Sequence, residues 1–574
     1  MAVRYLVFLG FLGIMASCKA RETRQNLQKT TLAIPQKKIV RDVDVVEKIS
    51  SLIKKKLEQA LRPGMITSEV FSENFVADWP KETSWTKYSN GQLEIHYQGK
   101  NPDFEKLGKE AFIKKMTTSI GALSKVDRSH FAIIRNFVAL SKTELIADAH
   151  VEIGGTNQEG QSLSEWRATL RVAFTQKENQ WRLTHLQPLE SVFSRSNFRK
   201  FRDVSKVLGI SLPETRENIR NAKSMVNNRK SPSSGGISVT DFNNDGAPDI
   251  LVTRRNRGTS LFVNDKSGGY TRLPLEAFND PSESAKFYLW VDLDNDGDED
   301  LVSTRSGQAR NGLSFVTLYR REGNELIKKE DILTFREDVW KRGLDYQGIT
   351  SCDVDGNGFL DLIFVGYTHL ESGLQNSNFV HGTDGLRNLI FLNYGKLDFR
   401  EEGIERGVTE TLYSFVAACQ DFDGDGDVDF FVGNDYGQNH FYKNNGKGGF
   451  TNDISHPFHQ GRGFSMGVSI ADFNNTGSYA VSLSNMYSHA GNRIIPLADN
   501  LSPKMREVLE GYAAGNSLFE NKDGQWTETA LERHVEYAQW AWGNIFFDFD
   551  NDRDQDLYVV NGFTSHEDPN APDF

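Results

Sequence analysis

Nothing restricts the fold of this chain more than an acidic nine-residue segment that recurs six times along its second part. The copies read DFNNDGAPD from Asp241, DLDNDGDED from Asp292, DVDGNGFLD from Asp353, DFDGDGDVD from Asp421, DFNNTGSYA from Asp472 and DFDNDRDQD from Asp548. Their starts lie 51, 61, 68, 51 and 76 residues apart, which is the spacing of a repeat architecture. Apolar or alternating stretches such as ISVT, FYLWV and GVSIA precede the copies, and others such as ILVT, LIFVG, FFVGN and LYVVNG follow at once. Each acidic segment is therefore a loop between two strands. Most units add a third stretch and a turn (SLFVND, NLIFLNYG, NHFYKNNG, NSLFENKDG) and then a fourth (GGYTRL, LDFREEG, GGFTND, QWTETA). Four strands per repeated unit predict propeller blades. The expected fold class is mainly β: a six- or seven-bladed β-propeller over residues 198–574, preceded by a small α+β domain over residues 40–195. Six loops set the minimum, and a seventh blade would have to lie in the long Asp292–Asp421 or Asp472–Asp548 interval. The segment FRDVSKVLGI from Phe201 reads as the outermost piece of a blade, placed to close the ring with the half blade at the C-terminus.

The chemistry lies in the loops. Carboxylates or amides recur at positions 1, 3, 5 and 9, with Gly at position 6 for a sharp turn. Side chains so close repel one another, and a bound Ca2+ with oxygen ligands at about 2.3–2.6 Å relieves that repulsion while fixing the loop. An EF-hand would need Glu at position 12, but Val252, Ser303 and Val432 stand there in three copies, so the closing ligand is expected at position 9. The expected ligands are Asp241, Asn243, Asp245 and Asp249; Asp292, Asp294, Asp296 and Asp300; Asp353, Asp355, Asn357 and Asp361; and Asp421, Asp423, Asp425 and Asp429. A weaker site keeps Asp548, Asp550, Asp552 and Asp556, with Arg553 in place of the turn Gly. The Asp472 loop, with Thr476 and Ala480 at positions 5 and 9, reads as a structural turn without metal. The expected cofactor is thus Ca2+, about four or five ions per chain.

The repeats resemble the FG-GAP or VCBS repeats of integrin-α-type propellers. The stretch SFVAACQDFDGDGDVDFFVGNDYGQNHFYKNNGKGGFTND, with GFSMGVSIADF and AWGNIFFDFDNDRDQDLYVVNG, further resembles the ASPIC and UnbV family, the bacterial relatives of cartilage acidic protein. That likeness covers roughly residues 198–574 and includes the Asn434-Asp435 and Met466-Gly467 pairs. It implies a calcium-binding propeller outside the cytoplasm and no catalytic residues. The family's C-terminal ASPIC and UnbV module is missing from the sequence.

Residues 40–195 have another rhythm. Val45–Leu61 has helical apolar spacing, and in FSENFVADW the residues Phe71, Phe75 and Trp79 fall at i, i+4 and i+8, which also reads as helix. HFAIIRNFVAL, ELIADAHVEIGG, SEWRATLRVAFTQ and NQWRLTHLQPLESV follow as antiparallel strands. Helices leading into such a sheet loosely resemble the nuclear-transport-factor-two-like cone fold, and His150, Glu152 and His185 are candidates either for a pocket in it or for its solvent face.

Residues 1–18 read as an export signal: Arg4, an apolar run from Tyr5 to Met15, and small residues before Cys18. As a helix the eleven-residue run spans about 16 Å, half of a ~30 Å hydrocarbon core, which argues against a permanent anchor. Met15-Ala16-Ser17-Cys18 resembles a bacterial lipobox, which implies lipidation of Cys18, with residues 19–39 as a linker; ordinary signal cleavage is the alternative. The expected location is the bacterial outer membrane or cell surface, or else the periplasm or medium, with membrane attachment only through the lipid. Cys352 and Cys419 can pair or stay free; Cys352 stands one residue and Cys419 two residues before an acidic loop, so strand alternation places them on opposite faces of their own sheets, which favours free thiols. A net charge of -12 excludes nucleic acid as the natural partner. The function expected is a surface binding or adhesion protein for an extracellular protein or glycan. The alternative is a polysaccharide lyase-like enzyme on the propeller, for which His440, His489 and Arg493 are scattered candidates that form no constellation.

Overall fold

The computed structural model describes most of residues 71–210 and 235–561, together with 5–7 and 10–12. Val45–Leu61, Cys18 and residues 201–203 lie outside the described residues. The chain is mainly β. Its second part is a row of sheets, each built by antiparallel neighbours in sequence order. The first unit comprises Gly235–Thr240, Asp249–Arg254, Gly258–Asn264 and Tyr270–Leu273. Four more four-stranded units follow, beginning at Tyr288, Leu344, Ser414 and Gly467, and a sixth contributes Ala541–Phe547 and Asp556–Asn561. Among the described residues the long intervals hold no further four-stranded unit; the later one holds the helix Pro503–Ala513, whose Ser502 cap accepts a hydrogen bond from the Met505 amide.

Five cores lie between the six units, which explains the continuous apolar runs. Alternate residues of one strand serve two different cores: Leu362 and Phe364 pack toward the second unit, Ile363 and Val365 toward the fourth. Phe430 and Val432 face the third unit, while Phe431 packs with Val481, Leu483 and Phe519 of the fifth. A sheet covered on both faces can be apolar at every position, whereas a half-solvated one alternates.

This stacking overturns the expectation of free thiols. Cys352 and Cys419 form a disulfide across the third and fourth units, with Cα atoms 6.4 Å apart. Opposite faces of successive sheets are the faces that meet when units stack, so the alternation that seemed to separate the two cysteines brings them together.

Side chains make further bonds between units. Asn393, at the end of the third unit's third strand, donates from Nδ2 to the Leu293 carbonyl of the second unit at 2.8 Å. Asn444 in the fourth unit donates likewise to the Val354 carbonyl of the third at 2.8 Å, and also to Val428 within its own unit at 2.8 Å. In the fifth unit the indole of Trp526 takes over, donating to the Phe422 carbonyl of the fourth at 2.8 Å. Residues 204–210 dock on the outer strand of the first unit as residues 402–408 dock on that of the fourth. The Tyr270 amide donates to Leu208 and the Phe450 amide to Arg406, both at 2.7 Å. Gly209 and Gly407 have φ of +81° and +92°, and a Cβ on either would stand 2.4 Å from the Tyr270 or Phe450 carbonyl oxygen, so neither position accepts a side chain.

In the first part, Leu123–Ala139, Glu144–Asn157, Leu163–Lys177 and Gln180–Ser196 form successive antiparallel strands, as the sequence predicts. The helix Lys109–Ile120 packs Phe112, Ile113 and Met116 against this sheet. Phe71–Pro80 is a correction: it is a strand, parallel to Gln180–Ser196 and antiparallel to Phe104–Gly108. A spacing of four is one helical turn but also an even number, so Phe71, Phe75 and Trp79 share one face of a strand equally well. The apolar run near the N-terminus contributes the strands Tyr5–Val7 and Gly10–Leu12, the first lying parallel to Asp556–Asn561.

Two outcomes are expected from these bonds between units. Replacing both Cys352 and Cys419 by Ser opens a loop of 67 residues and should lower unfolding stability by up to about 4 kcal/mol, read as a lower urea midpoint; an unchanged midpoint would mean that the bond does not form in solution. Asn393→Ala and Asn444→Ala should each cost about 1–3 kcal/mol by leaving buried carbonyls unpaired. Asn264→Ala, whose longer bond to the Pro248 carbonyl at 3.3 Å is exposed and stays within one unit, should cost less in the same denaturation series.

Candidate metal centres

Each acidic loop begins where a first strand ends and closes where the second starts, so all of them lie at one end of the units. Position 9 does the closing. In the third loop, Asp361 accepts the Val354 amide on Oδ2 at 2.9 Å and the Asn393 amide of the third strand on Oδ1 at 2.8 Å. Asp249 does the same with Phe242 and Asn264, Asp300 with Leu293 and Arg321, and Asp429 with Phe422 and Asn444. Asp556 accepts the Phe549 amide at 3.1 Å. These carboxylates are nearly or wholly buried. Burial, helped by neighbouring loop carboxylates, pushes Asp300 and Asp429 up to about 6 and Asp361 up to about 7.

Position 1 shapes the turn. The Asp353 carboxylate accepts the amides of Asn357 and Gly358, and Asp241 and Asp292 accept those of their own positions 5 and 6. Position 6 has φ between +80° and +93° in the five loops with Gly there, and Arg553 adopts +74° in the sixth, so the turn survives the substitution at a backbone cost. Position 4 also needs positive φ: Asn244, Asn295 and Asn475 adopt +53° to +58°, and Gly356 and Gly424 take the same place. These asparagines reach onward to the next loop, Asn244 to Asp298, Asn295 to the Gly358 carbonyl and Asn475 to the Arg553 carbonyl.

Carboxylates converge in three loops. Ligand atoms of Asp292, Asp294 and Asp296, of Asp353, Asp355 and Asp361, and of Asp421, Asp423 and Asp429 lie within 4.8 Å of one another in each set. Two ionised carboxylates at that separation repel by about 3 kcal/mol at an effective dielectric constant near 20. The donor set is oxygen only, which suits a hard divalent cation. In the first loop Asn243 lies beside Asp245, its Nδ2 donating to Oδ2 at 3.1 Å. Asp425 falls outside the fourth loop's converging set, and the Asp427 amide and Lys443 hold it below the usual carboxylate range. Asn357 turns its amide to the Asn393 carbonyl at 2.9 Å and its oxygen to the Phe359 amide. Asp550 and Asp552 lie outside the described residues; Asp548 accepts the Arg553 amide at 2.9 Å.

Basic side chains that the sequence reading passed over sit against these loops. Arg320 donates to Asp294 at 2.8 Å and to Asp296 at 3.0 Å. Lys443 contacts Asp423 and lies 3.2 Å from Asp425, and Lys266 is 3.5 Å from Asp245. Among the described residues no such ion pair reaches Asp353, Asp355 or Asp361. Arg320 and Lys443 each immediately precede the residue whose amide binds position 9, while Leu392 holds that place in the third unit. Aligning the repeats on their third strands, rather than on the acidic segments alone, would have revealed both the cations and the recurring Asn.

The other candidates do not assemble. His185 bonds buried Asp78 at 2.9 Å, whereas Glu152 pairs with Arg167 at 2.9 Å and His150 packs on the Tyr537 ring at 5.6 Å. Glu152 is buried, so it is not a solvent-face residue. His440 is buried beside the Tyr442 hydroxyl and Asn452, and burial holds it at about 4; His489 and Arg493 lie outside the described residues.

Residues 241–303, 292–364 and 421–478 match the FG-GAP-like repeat. Cartilage acidic protein 1 of Mus musculus is 24% identical over 270 residues, 42% of this chain and 38% of its own length. The Homo sapiens protein is 28% identical over 160 residues, 27% of this chain and 23% of its own length. The chain therefore spans well under half of these curated relatives. A solved structure of BBS1N in complex with ARL6DN covers 57% of this chain and 76% of its own at 11% identity, with a TM-score of 0.32, too low to bear on the fold. On its repeats, its sheets and these relatives, the chain is a mainly β protein with FG-GAP-like repeats, related over part of its length to cartilage acidic protein 1.

Proposed function

We propose that this chain is an exported, calcium-binding propeller protein that works by binding an extracellular protein or glycan, held at a bacterial outer membrane or surface through lipidated Cys18. The observation that carries the calcium reading is the convergence of three carboxylates within 4.8 Å in three consecutive loops at one end of the units. Asp292, Asp294, Asp296 and Asp300, the equivalent residues from Asp353 and Asp421, and Asp241, Asn243, Asp245 and Asp249 would hold the ions. Bound Ca2+ would supply positive charge where the loop is self-repelling. The chain's own part is already visible: the position 1 and position 9 carboxylates organise the backbone around the donor set, so a cation stabilises a loop that also fixes two strands.

The loops should differ in affinity. Arg320, Lys443 and Lys266 offer internal charge to the second, fourth and first loops, and an entering cation must displace it. The third loop carries no such competitor among the described residues, so it should be the tightest site.

Calorimetry and thermal melting of the chain without its first 18 residues should show about four or five Ca2+ bound and a melt lowered by chelator, the tightest ion being lost in Asp355→Asn. Absence of binding together with an unchanged melt would reduce the loops to turns. Replacing Lys443 by Ala should raise affinity at the fourth loop by roughly two- to fivefold, the range expected for removing a surface ion pair; a weakened site would show that the lysine supports the loop rather than competing for it.

A further inference from the structure

A second cluster lies at the opposite end of the units from the acidic loops, and the calcium reading does not use it. It is built on the turn after the second strand of the fourth unit. Asn434 is fully buried: its Oδ1 accepts the Ser414 hydroxyl at 2.9 Å, its amide donates to Asn439 Oδ1 at 3.0 Å, and its Nδ2 donates to the Gln438 carbonyl at 2.7 Å. The next residue, Asp435, is tied on both sides, its amide donating to the Tyr413 carbonyl at 2.9 Å and its carbonyl accepting the Phe464 amide at 3.0 Å. The turn is therefore rigid before any ligand arrives.

The Asp435 side chain is 5% exposed and accepts the Tyr367 hydroxyl at 2.6 Å. Burial pushes its carboxyl up to about 6, and the Tyr367 bond pulls it down only in part. Among the described residues no Lys, Arg or His forms an ion pair with it. A carboxylate withdrawn from water without a counter-ion is an unfavourable arrangement that a cation would relieve.

Aromatic rings from three parts of the fold surround this turn. Tyr367 from the third unit lies 5.3 Å from Tyr413, Tyr413 lies 5.6 Å from Tyr436, and Tyr436 lies 5.6 Å from Phe464, each pair nearly perpendicular. Tyr367, Tyr436 and Phe464 remain half-buried and so reach the surface. Phe464 has φ of +64°, a conformation that a bulky residue adopts only when its surroundings force it. Its amide bonds the Asp435 carbonyl, and its ring packs on those of Tyr436 and Tyr512. Aromatic faces attract organic cations, and they do so more strongly when desolvated.

We propose that Asp435, with Tyr367, Tyr413, Tyr436 and Phe464, forms a binding site for an organic ammonium group, carried either by a soluble amine or by a lipid headgroup. The carboxylate supplies the charge and the rings supply the selectivity for an alkylated, weakly hydrated cation over a metal ion. The net charge of -12 favours the approach of such a ligand. The site does not rest on the calcium reading.

The test is calorimetric titration of the chain without its first 18 residues with choline chloride and, separately, with its neutral isostere 3,3-dimethylbutan-1-ol. Saturable choline binding is expected, with the alcohol at least tenfold weaker and Asp435→Asn at least tenfold weaker for choline. Chelator should leave the affinity unchanged, which separates this site from the acidic loops. Phe464→Leu, which keeps the carboxylate, should weaken binding severalfold and serves if the Asn variant fails to fold. Vesicles of phosphatidylcholine provide the second arm: binding that free choline displaces assigns the headgroup, and choline binding without vesicle binding assigns a soluble amine. Equal affinity for the alcohol, no saturable choline binding, or full affinity in a folded Asp435→Asn or Phe464→Leu protein would overturn the proposal.

Discussion

The aspartate at position 9 is the interaction on which the propeller units depend. One carboxylate holds three pieces of backbone in place. Its attachment to the loop, its Oδ2 bond to the amide at position 2 and its Oδ1 bond to the third strand fix the exit of one strand, the start of the next and the strand after that. Buried in this way, the carboxylate is costly unless both oxygens are used, and in four units both are. The fifth unit shows what happens without it. Ala480 cannot accept, so the Asn521 amide turns to the Tyr479 carbonyl at 3.3 Å, and the sheet keeps its order through backbone alone. The convergence of the carboxylates at positions 1 and 3 is a consequence of this frame, because the turn has little freedom left once its two ends and its third strand are set.

Much of this was legible from the residues. Strand, loop, strand and the recurrence of the four-strand unit follow from DFDGDGDVD and its copies, because the acidic spacing and the flanking apolar runs are local properties. The partners between units were not local. Nothing in the order of residues around Asn444 says that its amide reaches Val354, ninety positions earlier, and only the stacking of sheets reveals it. The disulfide shows how a correct local inference can lead to a wrong conclusion: alternation was right, and the assumption that opposite faces do not meet was not. Phe71, Phe75 and Trp79 show the remaining ambiguity, since their spacing satisfies two periodicities and the pairing with Gln180–Ser196 decides between them.

The first sheet shows a limit of polar patterning. Its apolar alternation identifies the core face that packs on the helix Lys109–Ile120, but the other face is not a solvated one. Asp148 and Arg171 are 0% and 4% exposed and bond at 2.8 Å, and Glu152 and Arg167 pair nearby with Arg167 also 5.9 Å over the Tyr537 ring of the propeller region. Charges so enclosed add little net stability, because desolvation offsets much of the attraction. Losing one partner would be costly, however, so the pairs favour the one arrangement in which all of them are matched. Sequence reading assigns alternate polar residues to water by default, and here Tyr537 of the second part lies against His150 and Arg167 instead.

The bonds to the position 2 carbonyls run one way, whereas the position 4 asparagines of three loops reach forward. Asn393, Asn444 and Trp526 each reach back from a later unit to the position 2 carbonyl of the one before. In a folding chain this polarity means that the second, third and fourth loops are not finished by the residues of their own units. Each of these three loops receives a donor only when the following sheet has docked, so a partly assembled row of units carries an unfinished edge on its C-terminal side.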